Sequence, residues 1–206
     1  MTTMPDISKY DLILDALQKL LKDKNIQSVS VSEIAQTAGI GKGSIYYYFP
    51  SKDAILEALI ERNYKKPLET AKNLAKQTDI APFIRMAMIF SACRNASAEF
   101  IHQNTTHNIT EPHEQAYMYY KYVTYLIQEL KPQLAEIIRQ GIEIGEIHFD
   151  NPDGLADIVL LVLTAKFSNT LSPSDPDDAH DTLSALVSLL EKGTEVPAGS
   201  LNYLLS

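Results

Sequence analysis

Apolar residues recur at helical spacing along nearly the whole chain, and no stretch alternates apolar and polar residues as a half-buried strand would. Ile13, Leu14, Leu17, Leu20 and Leu21 share one face of a first helix, with Asn25 placed to end it in a left-handed cap. Ser30 and Glu33 form the S-x-x-E pattern of a capping box, opening a second helix that runs to about residue 38. Gly39 supplies a turn, and a third helix covers roughly residues 42–49. Pro50-Ser51 breaks the chain, and Ser51 caps a longer fourth helix carrying Ile55, Leu56, Leu59 and Ile60, expected to end or kink near Pro67. Further helices are predicted at about 82–102, 114–130, 132–145, 153–169 and 179–192, with polar loops at 104–112 and 172–178. The expected class is all-α, with about nine helices.

The stretch from Ser30 to Lys52 stands apart chemically. Tyr46, Tyr47 and Tyr48 are consecutive, and neighbours on a helix point about 100° apart, so the three cannot all face one core. Two short helices around Gly39, with Ala35 small enough for close approach and Ile34, Ala38, Ile40 and Ile45 as buried pins, make a helix-turn-helix pattern. Its second helix then offers Lys42, Gly43, Ser44, Tyr47 and Tyr48 to a major groove. Lys42 can donate to guanine acceptors, and Gly43 lets the backbone approach a base edge. Ser30, Ser32 and Lys52 are placed to hold phosphates. Each of these residues taken singly also suits a solvated helical hairpin with snorkelling side chains. It is their combination over 23 residues that points to nucleic acid.

The chain's net charge of −8 changes this picture only until its distribution is read. Residues 1–52 hold six lysines and five acidic residues, a net of +1, whereas the remaining 154 hold 12 basic and 21 acidic groups, a net of −9. A near-neutral module on an acidic body suits DNA binding confined to one end. With 206 residues, 45% apolar, the chain can bury a substantial core. Its longest apolar run, residues 158–163, is too short to span a bilayer, and the N-terminus lacks a signal peptide's basic and apolar regions. The single cysteine, Cys93, excludes an intramolecular disulfide. Together these features predict a cytoplasmic protein. No phosphate loop, nucleophile elbow or metal-ligand spacing appears, so neither an enzyme nor a cofactor is expected. His102, His107 and His113 include no i, i+4 pair, and the chain has no second cysteine, so a metal site is not expected either.

Residues 28–59 resemble the DNA-binding signature of the tetracycline-repressor (TetR) family of bacterial transcriptional regulators, and the detailed match covers roughly residues 8–60. The resemblance implies an N-terminal helix-turn-helix domain, residues 1–52, joined through the fourth helix to a larger helical domain, 53–206, that binds an effector and dimerises. It implies a phosphate-touching cap at Ser30, base contacts at Lys42, Gly43 and Ser44, an aromatic contact pair in Tyr46 and Tyr47, and a phosphate contact at Lys52. Two residues depart from the pattern: Asn25 replaces the usual glycine before the second helix, and Tyr48 stands where histidine is common. The implied function is a homodimeric repressor that leaves a near-palindromic double-stranded operator when a small-molecule effector binds. An activator, or a regulator without an effector, fits the same motif.

Beyond residue 60 the likeness is one of layout. The segment 134–152, with Gly141 and Gly145, leads into the apolar helix at 155–167 and the Leu183, Leu186, Val187, Leu190 stripe, which would pair with the same helices of a second copy or fill the core of a monomer. Methionines and aromatics crowd residues 86–127. Phe90, Tyr117 and Tyr120 are candidates for lining an effector pocket, with Arg94 to meet an anionic ligand; the same residues also suit ordinary core packing.

Overall fold

The computed structural model describes residues 8–104, 112–167 and 176–205. Eight α-helices fill it: α1 (Lys9–Leu21), α2 (Val31–Ala38), α3 (Lys42–Tyr48), α4 (Lys52–Leu74), α5 (Pro82–Asn104), α6 (Pro112–Glu143), α7 (Pro152–Phe167) and α8 (Pro176–Gly193), followed by a short 3-10 turn at Asn202–Leu205. Among the described residues there is no strand, so the chain is all-α. Each helix from α5 to α8 begins with proline, whose fixed φ and missing N–H suit the first helical position.

The count of eight rather than nine follows from Pro132, which does not break its helix, and Pro67 does not end its helix either. Pro132 was expected to separate two helices, yet α6 runs through it; Pro67 was expected to end or kink α4, which continues to Leu74. Buried side chains flank both sites: Leu130, Ala135, Ile137 and Ile138 around Pro132, and Tyr64, Leu68, Ala71 and Leu74 around Pro67. Tertiary burial supplies most helical stability in proteins, and here it outweighs the lost hydrogen bond. The polar loop expected around residues 104–112, with His107, falls mostly outside the described residues, as do residues 172–175 and the side chains of Phe100, His102 and His113.

The described residues form two compact units. One comprises the chain up to Asn63 with Ser97–Tyr122; the other comprises Tyr64–Ala96 with Val123–Ser206. In the first, Ile13, Leu14, Leu17, Ile34, Ile45, Ile55, Leu56 and Leu59 are essentially buried, which is the face that the helical spacing marks out. Arg62 of α4 ties to α1 through Asp15 at 2.7 Å and Gln18 at 3.0 Å.

In the second unit, Ala135, Ile138, Ile147, Leu155, Leu163, Leu183, Val187 and Leu190 share one core with the chain's end. The C-terminal tail folds back because the Glu191 carboxylate accepts from the amides of Gly199 (2.8 Å) and Leu201 (3.1 Å), while Val196, Leu201 and Leu204 bury their side chains. Arg85 of α5 is only 1% exposed. Its guanidinium donates to the Leu74 carbonyl at the end of α4 (3.3 Å) and to Gln140 Oε1 of α6 (2.6 Å), and Gln140 in turn donates to the Ala75 carbonyl (3.0 Å) and Glu136 (2.8 Å). Burial lowers the Arg85 pKa, opposed by the charges of Asp79, Glu136 and Glu146.

Candidate nucleic-acid interface

The helix-turn-helix is built by local chemistry at each junction. Ser30 Oγ accepts from the Glu33 amide (3.2 Å) and the Glu33 carboxylate accepts from the Ser30 amide (2.8 Å), completing the capping box. Lys24 adds its ammonium to Glu33 at 2.5 Å. These contacts, the Lys24 hydrogen bond first, hold the Glu33 carboxyl down to about 2.

A group whose folded pKa lies below its unfolded value, about 4.3 for glutamate, contributes stability above that value and loses it as pH falls. Melting temperatures of wild type and Glu33→Gln should therefore differ near neutral pH, converge below about pH 4 and coincide by about pH 2. Thermal scans followed by circular dichroism check this, and a gap that persisted in acid would contradict it.

At the other end of α2, Gly39 adopts φ 69°, ψ 29°, the left-handed conformation that glycine reaches without strain. The amides of Ile40 and Gly39 return to the carbonyls of Ala35 and Gln36, closing a Schellman-type end. Asn25 departs from expectation. It does not take positive φ; its Oδ1 accepts from the Gln27 amide (2.9 Å) and its carbonyl from Ser28, forming an Asx turn in place of a left-handed cap.

α3 is short and held from below. Ile45 and Phe49, one turn apart, are buried, and Phe49 packs on Tyr10 with ring centroids 4.8 Å apart. Ala38 and Ile40, expected as pins, are only half-buried, whereas Ala35 is buried. None of the three tyrosines enters the core: Tyr46 is 51%, Tyr47 83% and Tyr48 38% exposed, with Tyr47 and Tyr48 edge-to-face at 5.1 Å. Lys42 and Gly43 are exposed beside them, Ser44 is half-buried, and a methyl group added at Gly43 would meet open space. Ser30 and Ser32 lie exposed at the start of α2. The arrangement presents an ammonium, hydroxyls, phenols and an unobstructed backbone on one short helix, the group types that read base edges and phosphates.

Lys52 is placed differently from its neighbours. Its ammonium donates to the carbonyls of Ile26 (2.7 Å), Gln27 (3.2 Å) and Val29 (2.8 Å) in the α1–α2 loop. Residue spacing gave no hint of this, because the acceptors are main-chain groups more than 20 positions away.

The four candidate effector residues divide between the units. Phe90 and Arg94 lie together in the second, with the guanidinium 5.8 Å from the Phe90 ring centre and Tyr203 on Phe90 at 6.2 Å. Tyr117 and Tyr120 belong to the first; Tyr117 hydrogen-bonds Asp53 and Tyr120 is exposed. Lys121, one turn beyond Tyr117, pairs with Glu57 at 2.6 Å, so α6 grips the opening turns of α4. Cys93 is buried, which pushes its thiol up to about 12 and keeps it protonated. Among the described residues no cluster of His, Cys, Asp and Glu could hold a metal, and no helix is long and apolar enough to cross a membrane.

Comparison with known proteins locates the likeness where this geometry lies. The family model for bacterial regulatory proteins of the tetR family matches residues 13–59. An uncharacterised helix-turn-helix regulator of Bacillus subtilis, YuxN, is 38% identical over 71 residues, covering 34% of this chain and 24% of its own length. The regulator EthR of Mycobacterium tuberculosis is 42% identical over 50 residues, covering 24% and 23%. The chain thus spans about a quarter of the length of these curated relatives.

Solved structures extend the likeness to the whole fold. SmeT, the repressor of the Stenotrophomonas maltophilia multidrug efflux pump SmeDEF, matches with a TM-score of 0.64 at 14% identity over 95% of this chain and 93% of its own. RolR, solved with resorcinol, matches at 0.62 and 17% over 96% and 93%. The likeness in sequence to the tetR family of bacterial regulatory proteins thus lies in the helix-turn-helix segment, residues 13–59, and the likeness to the solved structures is one of fold.

Proposed function

We propose that the protein is a DNA-binding transcriptional regulator, acting as a homodimeric repressor that a small-molecule effector releases from a near-palindromic operator. The observation that carries this reading is α3 itself, a seven-residue helix pinned by Ile45 and Phe49 with Lys42, Gly43, Tyr46 and Tyr47 all turned to solvent. A helix with so little core to contribute, yet so many exposed tyrosines, is explained by what it touches outside the chain. Lys42, Gly43 and Ser44 meet base edges at its start, Tyr46 and Tyr47 reach backbone and bases, Tyr48 flanks them, and Ser30 and Ser32 hold phosphates at α2.

Dimerisation through α7 and α8 is supported by apolar side chains that one copy leaves in water. Ile158 and Leu161 on α7 and Leu189 on α8 are exposed, although α7 is apolar nearly all round. Effector release is supported by the neighbours' descriptions: RolR was solved with resorcinol and SmeT with triclosan. In this chain Phe90 and Arg94 offer an aromatic face beside a cation, and Tyr117 and Tyr120 lie on the helix whose Lys121 holds α4. A ligand that changes operator affinity must bind the two conformations unequally, and α4 is the element whose displacement would carry that difference to α3.

The test is titration of the protein with fragments from around its own gene, against random duplex of the same length and at several salt concentrations. A fragment bound at least about 10³-fold more tightly than random duplex, with affinity falling steeply as salt rises, is the expected result. Equal affinity for all duplexes would overturn operator recognition.

A further inference from the structure

The structure assigns Lys52 to positioning the helix-turn-helix rather than to gripping a phosphate, an inference that rests on the DNA-binding reading of α3. Lys52 is the first residue of α4, where the helix dipole disfavours a cation. It stays there because three backbone carbonyls surround its ammonium, those of Ile26, Gln27 and Val29 at 2.7, 3.2 and 2.8 Å. An ammonium has three N–H donors, and all three are used. The loop it holds also carries the buried side chains of Ile26 and Val29, the Asx turn at Asn25 and the Lys24–Glu33 pair, and it delivers the chain to Ser30, the cap of α2. Lys52 therefore fastens the entrance of α2 to the start of α4, the two elements between which α3 is strung. The angle at which α3 meets a groove depends on that fastening.

Three measurements test this. In the wild-type protein without DNA, acylation followed by mass spectrometry should modify Lys52 much more slowly than the exposed Lys42; equal rates would overturn the assignment. In Lys52→Met, amide hydrogen exchange should accelerate at residues 26–30; unchanged exchange there in a folded variant would overturn it.

DNA titrations run where circular dichroism shows Lys52→Met fully folded should give roughly tenfold to hundredfold weaker binding, because a small misplacement of contacting groups is costly. The dependence of log affinity on log salt should keep its wild-type slope. A slope reduced by about 0.9 per subunit would mean a phosphate contact has been lost, and wild-type affinity in the folded variant would mean that the fastening does not position α3; either result overturns the inference. If wild type itself recognises no fragment, the regulator reading fails, while labelling and exchange still decide where the ammonium is spent.

Discussion

Replacing Arg85 by leucine should destabilise the second unit by about 3 kcal/mol, lowering the melting temperature by roughly 10 °C. The size follows from what is left behind rather than from the contact removed. Leucine fills part of the space, but Gln140 Oε1 and the Leu74 carbonyl lose a charged donor within the buried junction of α4, α5 and α6. A buried acceptor without its donor costs about 1–3 kcal/mol, and two are exposed to that loss here. Gln140 cannot simply turn to compensate, because its amide already serves Ala75 and Glu136. Urea unfolding followed by circular dichroism measures the change, and a shift under about 1 kcal/mol would contradict the account.

Placing a glutamate at both Leu161 and Leu189 should convert a dimer to a monomer and weaken operator binding by at least about 100-fold. Both side chains are exposed in one copy, Leu189 at 70%, so the folded monomer loses little. In the dimer they would be buried, and an unpaired charge in an apolar interface costs far more than the lost methylenes. Two half-sites bound by one tethered pair gain effective concentration that separate subunits do not have, which is why affinity for DNA should fall along with assembly. Sedimentation at micromolar concentration and a titration on the same samples check both parts. A wild-type monomer, or a variant that remains dimeric, would contradict the α7–α8 interface.

What could be read in the residues and what could not divides by distance along the chain. The capping box at Ser30 and Glu33, the left-handed turn at Gly39 and the break at Pro50-Ser51 are each set by neighbours within five positions, and each was legible. The exposure of the tyrosines followed in part from helical geometry, which requires at least one to leave the core; all three are exposed. Asn25 misled because asparagine satisfies backbone either by positive φ or by an Asx turn, and residue identity does not choose between them. Pro132 misled because burial from elsewhere in the chain carries α6 through it, and α4 likewise does not end at Pro67. Lys52 and Arg85 were opaque for the same reason: their partners lie 23 to 26 and 11 to 55 residues away, and a periodic pattern records only which face is apolar.

The central claim is that α3 reads DNA, and the most direct measurement is a titration of one selected genomic fragment with wild type, Lys42→Ala and Tyr47→Ala at fixed salt. Neither side chain supports the core, so circular dichroism should show both variants folded as wild type. Each should lose about 1–3 kcal/mol of binding, and Lys42→Ala should also relax discrimination at the base pair it contacts. Wild-type affinity and specificity in both variants would contradict the claim.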